Sequence, residues 1–365
     1  MIYLDYQATT PLAPEAREAM LRWLEGPEGT GFGNPHSAHR MGRSASAAIE
    51  AARERVAALL PAGGRVIFTS GATEALNTAL RGTGGDVLTF ATEHAAVLDC
   101  MRPVEASRRA FTVLPVRPDG RADIAALEEA AGPATGLVAA MAINNEIGTR
   151  HPLGDIVRIA RAKGALVLVD AVQAYGRVPL TELDADFIAI SAHKIHGPKG
   201  IGALWIRDGE EVEPLMFGGG QEAKLRSGTL SPALCAGFGA AAQIAEERMT
   251  ADAEHIEALW TRARELFAEW TLNGSASERW HGNLNIRREG LDVSRLMSDC
   301  RNVMFSAGSA CASGSGRPSH VLSAIGLSDR EAKASIRLGF GRYTRRDDIE
   351  QAARAITEAA GGQWP

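Results

Sequence analysis

The sequence predicts an α/β protein whose mainly parallel sheet is covered by helices on both faces. Three observations predict it: short apolar runs rich in β-branched residues recur along the first half of the chain, helix-patterned stretches separate them, and polar residues follow the runs directly. The runs are Val66-Ile67-Phe68, Val87-Leu88-Thr89-Phe90, Leu137-Val138-Ala139-Ala140-Met141, Leu166-Val167-Leu168-Val169 and Phe187-Ile188-Ala189-Ile190. An unbroken apolar run has both faces buried, as a parallel sheet between two helical layers requires. Between the runs, Glu74 to Leu80, Ile124 to Ala131 and Ile156 to Lys163 space their apolar residues at helical intervals. Helix formers predominate from Ala233 to Trp270, which predicts a long helical connector into a second region. In that region Leu284-Asn285-Ile286 and Ile336-Arg337-Leu338 read as strands, and Val293 to Cys300 and Asp347 to Ala360 as helices. There is no internal repeat and no low-complexity linker.

A chain of 365 residues with 45% hydrophobic residues can bury a sizeable core and form two subdomains. Its 39 Lys plus Arg against 44 Asp plus Glu give a net charge of -5, which argues against a broad nucleic-acid surface. Small molecules and protein partners are the expected ligands. Lysine occurs only at Lys163, Lys194, Lys199, Lys224 and Lys333, so lysine chemistry has few candidates. Cys100, Cys235, Cys300 and Cys311 have neither metal or redox spacing nor the density of a disulfide scaffold, which fits a reducing cytosol and no metal site. The N-terminus has Asp5 where an export signal would have its apolar core, and no apolar run approaches the ~18 residues of a membrane span. A cytoplasmic protein without a membrane partner is expected.

Gly and Ser gather at Gly218 to Gly220, at Arg226 to Thr229 and from Ser306 to Gly316. The last stretch surrounds Cys311 with small residues that give its thiol little cover, whereas Cys100, Cys235 and Cys300 lie in helix-like sequence and read as packing residues. In open α/β sheets, ligands bind beyond the carboxyl ends of strands. After Val66-Ile67-Phe68 comes Thr69-Ser70-Gly71-Ala72-Thr73-Glu74, where free backbone N–H groups at a helix start suit a phosphate, or Thr73 simply caps the helix. Asp170 ends a buried strand and needs either a protonated heterocyclic nitrogen or a nearby arginine. Lys194, in Ser191-Ala192-His193-Lys194, is either a solvated charge or a Schiff-base lysine. A phosphate cradle, an acid for a ring nitrogen and a lysine at three strand ends together meet the demands of pyridoxal phosphate.

With these residues stand further ordered motifs: Tyr3-Leu4-Asp5 with Ala8-Thr9-Thr10-Pro11, Asn34-Pro35, Glu93-His94, Asn144-Asn145-Glu146-Ile147-Gly148, Gly197-Pro198-Lys199-Gly200, Arg226-Ser227-Gly228-Thr229, Gly308-Ser309-Ala310-Cys311, Pro318-Ser319 and Ser335-Ile336-Arg337. Over almost its whole length the sequence resembles the NifS/IscS-type cysteine desulfurases, within the class V, fold-type I pyridoxal-phosphate enzymes. The resemblance implies a mainly parallel seven-stranded sheet in a large domain at 13–249. It also implies a smaller α+β domain from 1–12 and 250–365, carrying the Cys311 loop.

By the same resemblance Lys194 holds the cofactor and later moves the substrate α-proton, Asp170 pairs with the pyridine nitrogen, and His94 stacks on the ring and assists proton transfer as a catalytic residue. Asn145 and Gln173 bond near the phenolic oxygen. Ala72, Thr73, Ser191 and His193 hold the phosphate, together with Thr229 from the other subunit of a homodimer. Arg337 binds the substrate carboxylate with Asn34 close by, and Cys311 takes the sulfur of L-cysteine as a persulfide, releasing alanine. The sulfur then passes to a protein acceptor: an iron–sulfur scaffold, a tRNA-thiolation protein or a sulfur carrier. Two other activities remain open on the residues alone. One is a selenocysteine lyase or other class V lyase or aminotransferase, which would not depend on Cys311; the other is an inactive partner of another sulfur donor. Gln221-Glu222-Ala223 and His320 depart from common family residues near the site entrance, and the chain ends soon after its last helix, which bears on the choice of acceptor.

Overall fold

The computed structural model describes residues 1–308 and 319–363, so Cys311 lies outside the described residues. A seven-stranded sheet runs in the order Gly64–Thr69, Gly202–Arg207, Phe187–Ser191, Leu166–Asp170, Thr135–Met141, Asp86–Phe90, Phe111–Leu114. All strands are parallel except Gly202–Arg207, which is antiparallel to both neighbours. The expected mainly parallel α/β architecture is therefore the observed one. The apolar runs are buried on both faces, with Phe68, Phe90, Phe187 and Trp205 among the largest side chains sealed inside.

Register decides what the sheet presents at its edge. Asp170 lies opposite both Met141 and Ala189, and Gly202 lies opposite both Thr69 and Ser191. Four parallel strands therefore end in line, and the polar residues that follow them converge on one rim.

The long connector is a 35-residue helix, Pro232–Leu266. Ser231 caps it by accepting from Leu234 N–H, and proline fills the first turn, where its missing N–H costs nothing. It packs against Arg40–Ala57 and Pro14–Leu21; at Gly239 a Cβ would stand 2.7 Å from Ala52 Cα, so close approach of the two helices requires glycine there. No helix among the described residues is long and apolar enough to cross a membrane.

A smaller antiparallel sheet follows, in the order Ser306–Ala307, Ser335–Gly339, Asn283–Arg287, Thr271–Leu272. Ile2–Tyr3 pairs in parallel with Val303–Met304, and Asp5 bridges to Gly339. From there Gln7 Nε2 donates to Gly282 O at 2.9 Å, carrying the N-terminal segment across to the rim of the large sheet. Cys100, Cys235 and Cys300 are buried, and burial raises their thiols, to about 11 for Cys100 and about 12 for Cys235. Burial in their packed surroundings makes these three poor nucleophiles.

Candidate active site

At the rim, a cavity of about 580 Å³ opens between the strand ends, the N-terminal segment and the smaller sheet. Ala72, Thr73, His94, Asn145, Asp170, Gln173, Ser191, His193, Lys194 and Arg337 all line it. Asn34 and Thr229 do not; both are exposed on this single chain.

The helix Ala72–Gly82 starts at the cavity wall. Its N-cap is Gly71, with no side-chain cap, so the reading of Thr73 as a cap is corrected: Thr73 lies within the first turn. A helix start without a cap leaves its first N–H groups for a ligand. Glu74 in the same turn accepts from Ser70 N–H (2.7 Å) and from Arg226 Nε (2.8 Å), which ties the Arg226–Thr229 segment to this helix. Burial works to raise the Glu74 carboxyl, but Arg226 and Ser70 hold it below its ordinary value.

Asp170 is buried and accepts from Val172 N–H at 2.9 Å. Among the described residues no arginine pairs with it, which leaves a protonated ring nitrogen as the better of its two candidate partners. Burial pushes its carboxyl up, against the Val172 N–H and the charges of His94 and Lys194. His94 Nδ1 accepts from Ala96 N–H at 3.0 Å, so the neutral ring carries its hydrogen on Nε2. Burial lowers His94, and Lys194 and His320 lower it further while Asp170 opposes them. His193 is pushed down to about 4 by burial and by Lys194, Lys199 and Arg177; its Nδ1 lies 3.1 Å from Thr9 Oγ1.

Lys194 Nζ donates to Gln7 O and to Ala8 O, the latter at 2.8 Å. The N-terminal segment thus aims the only lysine that follows a strand end directly. Arg337, fully buried, donates from Nη2 to Asp5 Oδ1 (2.8 Å) and Ser306 Oγ (3.3 Å) and from Nη1 to Asn145 O (3.1 Å). Among the described residues its buried Nε has no partner, an orphaned donor beside the cavity.

Reading by residue type misses Gln7 and Ala8, whose backbone oxygens hold Lys194, and Arg177, which bonds Gln173. The first pair lay in view within the N-terminal motif; nothing in the sequence marks Arg177.

Most of the chain matches a known family: residues 2–352 fit the model of the aminotransferase class-V family. The chain belongs to that family. It is 42% identical over 97% of its length to the cysteine desulfurase IscS of Rickettsia akari, covering 90% of that relative. Among solved structures, a NifS-like protein superposes with a TM-score of 0.90 at 32% identity, with 99% of each chain covered. A second, SspA in complex with cysteine, superposes with a TM-score of 0.82 at 33% identity, covering 94% of this chain and 100% of that one.

Enzymes of this family work with pyridoxal 5'-phosphate. The residues here fit the group. Uncapped helix N–H groups suit its phosphate, a buried carboxylate without an arginine suits its ring nitrogen, and a lysine held at the rim suits its aldehyde.

Proposed function

We propose that this protein is a pyridoxal-phosphate-dependent cysteine desulfurase that converts L-cysteine to L-alanine and leaves the sulfur as a persulfide on Cys311. The observation that carries the reading is the alignment of strand ends, which brings the Asp170 carboxylate, the His94 ring and the Lys194 amine round one cavity. The 42% identity to a cysteine desulfurase narrows the family's chemistry to this reaction.

When bound, the cofactor supplies an electron sink that stabilises negative charge on the substrate carbons. Asp170, with no competing arginine among the described residues, would hold the proton of the ring nitrogen in place. Ala72 and Thr73 N–H, with Ser191 and His193, hold the phosphate. Gln173 and Asn145 would bond near the phenolic oxygen, and His94 would cover the ring. Lys194, oriented by the Gln7 and Ala8 carbonyls, would bind the cofactor and carry the substrate α-proton. Arg337, fixed by Asp5, receives the substrate carboxylate, with Asn34 nearby.

The Cys311 thiolate then attacks the substrate sulfur: the S–S bond forms, the Cβ–S bond breaks, and the electron pair left on carbon is protonated. The balance is cysteine plus one thiol giving alanine plus one persulfide, with no added oxidant. Thr229, exposed on one chain and tied through Arg226 and Glu74 to the phosphate helix, completes the site of the second subunit in a homodimer. The persulfide passes to a protein acceptor in iron–sulfur or thio-cofactor biosynthesis, in the cytoplasm. The domains are 13–249 for the cofactor and 1–12 with 250–365 for the Cys311 loop, a division supported by the pairing of Ile2–Tyr3 with Val303–Met304.

The test is alanine released from L-cysteine, with a thiol reductant, by wild type and by Cys311→Ser. Loss of turnover in the variant with cofactor absorbance intact is the expected result. Equal turnover in both removes Cys311 from the reaction and favours a class V lyase that needs no thiol.

A further inference from the structure

Behind the cavity, on the turn that follows Asp170, Arg177 makes a set of contacts that the reaction described above does not use. Its Nη1 donates to Gln173 Oε1 at 2.5 Å and to Gln173 O at 3.3 Å, and its Nη2 donates to Lys194 O at 2.6 Å. The guanidinium lies over the Trp280 ring, 4.4 Å from its centroid. Among the described residues no carboxylate pairs with it. Burial lowers it to about 9, which leaves it cationic at neutral pH.

These contacts fix the sense of the Gln173 amide. Nε2 donates to Gln7 O at 3.0 Å, and Oε1 accepts from a guanidinium that can only donate. A flipped amide would set NH₂ against the guanidinium and oxygen against the Gln7 carbonyl. With Oε1 engaged by Arg177 and one Nε2 hydrogen by Gln7 O, Gln173 keeps the second hydrogen of Nε2 as the donor it can offer the cavity it lines.

We propose that Arg177 is a positioning residue: it locks the Gln173 amide with its N–H toward the cavity and pins the Lys194 backbone, so that the phenolic oxygen of bound pyridoxal phosphate meets a donor beside a fixed positive charge. The proposal rests on the functional reading above. A donor on the phenolic oxygen and a nearby cation both favour the deprotonated form of the lysine-linked chromophore. Arg177 accordingly sets the pH at which that chromophore titrates, without touching the cofactor.

The experiment is a spectrophotometric pH titration of the cofactor-loaded protein, wild type against R177M and R177K, with cofactor content checked by release in alkali. R177M removes both the lock and the charge, and its midpoint is expected to rise by about one pH unit. R177K keeps the charge but, as a single point donor, cannot make the planar two-armed contact to Gln173 and Lys194 O; its midpoint is expected between the two. Unchanged midpoints in both variants, at full cofactor content, overturn the proposal. Failure of both variants to fold also overturns it, because Arg177 would then serve the fold alone; if only R177M fails, the R177K midpoint decides. A wild-type protein that takes up no pyridoxal phosphate would instead bring down the functional reading itself.

Discussion

The segment Glu222, Ala223, Lys224 carries three successive non-glycine residues at φ of 47°, 54° and 69°. An L-residue in this left-handed region costs about 1–2 kcal/mol, because Cβ crowds the neighbouring carbonyl. The turn persists because its first residue is clamped. Glu222, with a side chain 3% exposed, accepts from Arg53 Nη1 and Nη2 at 2.7 Å each and from Phe68 N–H at 2.6 Å. Ala223 and Lys224 are exposed and contribute little packing, so replacing either by glycine removes strain at almost no loss of contact. The relief of about 1–2 kcal/mol is offset by about 0.5–1 kcal/mol for the greater freedom of glycine in the unfolded chain. A223G and K224G are each expected to stabilise the protein by roughly 0.5–1 kcal/mol. The assay is urea unfolding followed by tryptophan fluorescence at fixed protein concentration, comparing midpoints at constant slope. G220A is the control: its φ is +77° and a Cβ would meet only Lys224 Cγ at 3.6 Å, so it should lower the midpoint through backbone conformation alone. Lower midpoints for both glycine variants would refute the strain argument.

Three further outcomes are expected. D170N should cut alanine formation by at least about 100-fold, a loss typical of removing one preorganised electrostatic contact, while borohydride still fixes the cofactor to Lys194; undiminished turnover would separate Asp170 from the ring nitrogen. T229A should weaken pyridoxal-phosphate binding by about tenfold, the worth of one hydrogen bond, in a fluorescence titration of the apo-protein; unchanged affinity would mean that Thr229 does not reach a site. His151 is buried, its Nδ1 accepts from Ala122 N–H at 2.9 Å, and burial pushes it down to about 4. The unfolded chain binds this proton near pH 6.5 and the folded chain only near 4, so stability present above pH 6.5 is lost as pH falls toward 4. H151Q should flatten that loss in urea midpoints measured across the window, and an equally steep loss would clear His151 of it.

Much of this molecule was legible in its sequence because burial leaves a strong signature. Each of the five apolar runs is a strand of the large sheet, since strands buried on both faces have no room for polar residues. Phe111–Leu114 and Gly202–Arg207 did not stand out. The first exposes Thr112 and Val113 at the sheet edge, and the second closely follows the glycine-containing motif Gly197-Pro198-Lys199-Gly200. Ten of the expected site residues meet at one cavity: nine lie at or after strand ends or helix starts, and Arg337 reaches it from the middle of the strand Ser335–Gly339. Arg177 and the Gln7 and Ala8 carbonyls escaped notice because backbone acceptors have no residue type, and an arginine in a turn ordinarily points to water. The capping role given to Thr73 went to Gly71, since a helix that keeps its first N–H groups for a ligand is better begun by a residue with no side chain to occupy them.

The pairing of Ile2–Tyr3 with Val303–Met304 also sets an order of events at the ribosome. The segment that holds Lys194 is made first, yet its own strand partner emerges about 300 residues later, or roughly 15–60 s at ordinary elongation rates. Until then the N-terminal segment has its bonds to the rim of the large sheet, Thr10 N–H to His193 O at 3.0 Å and Gln173 Nε2 to Gln7 O at 3.0 Å, but not its strand partner. A complete site accordingly waits for the last third of the chain, which carries both Arg337 and Cys311.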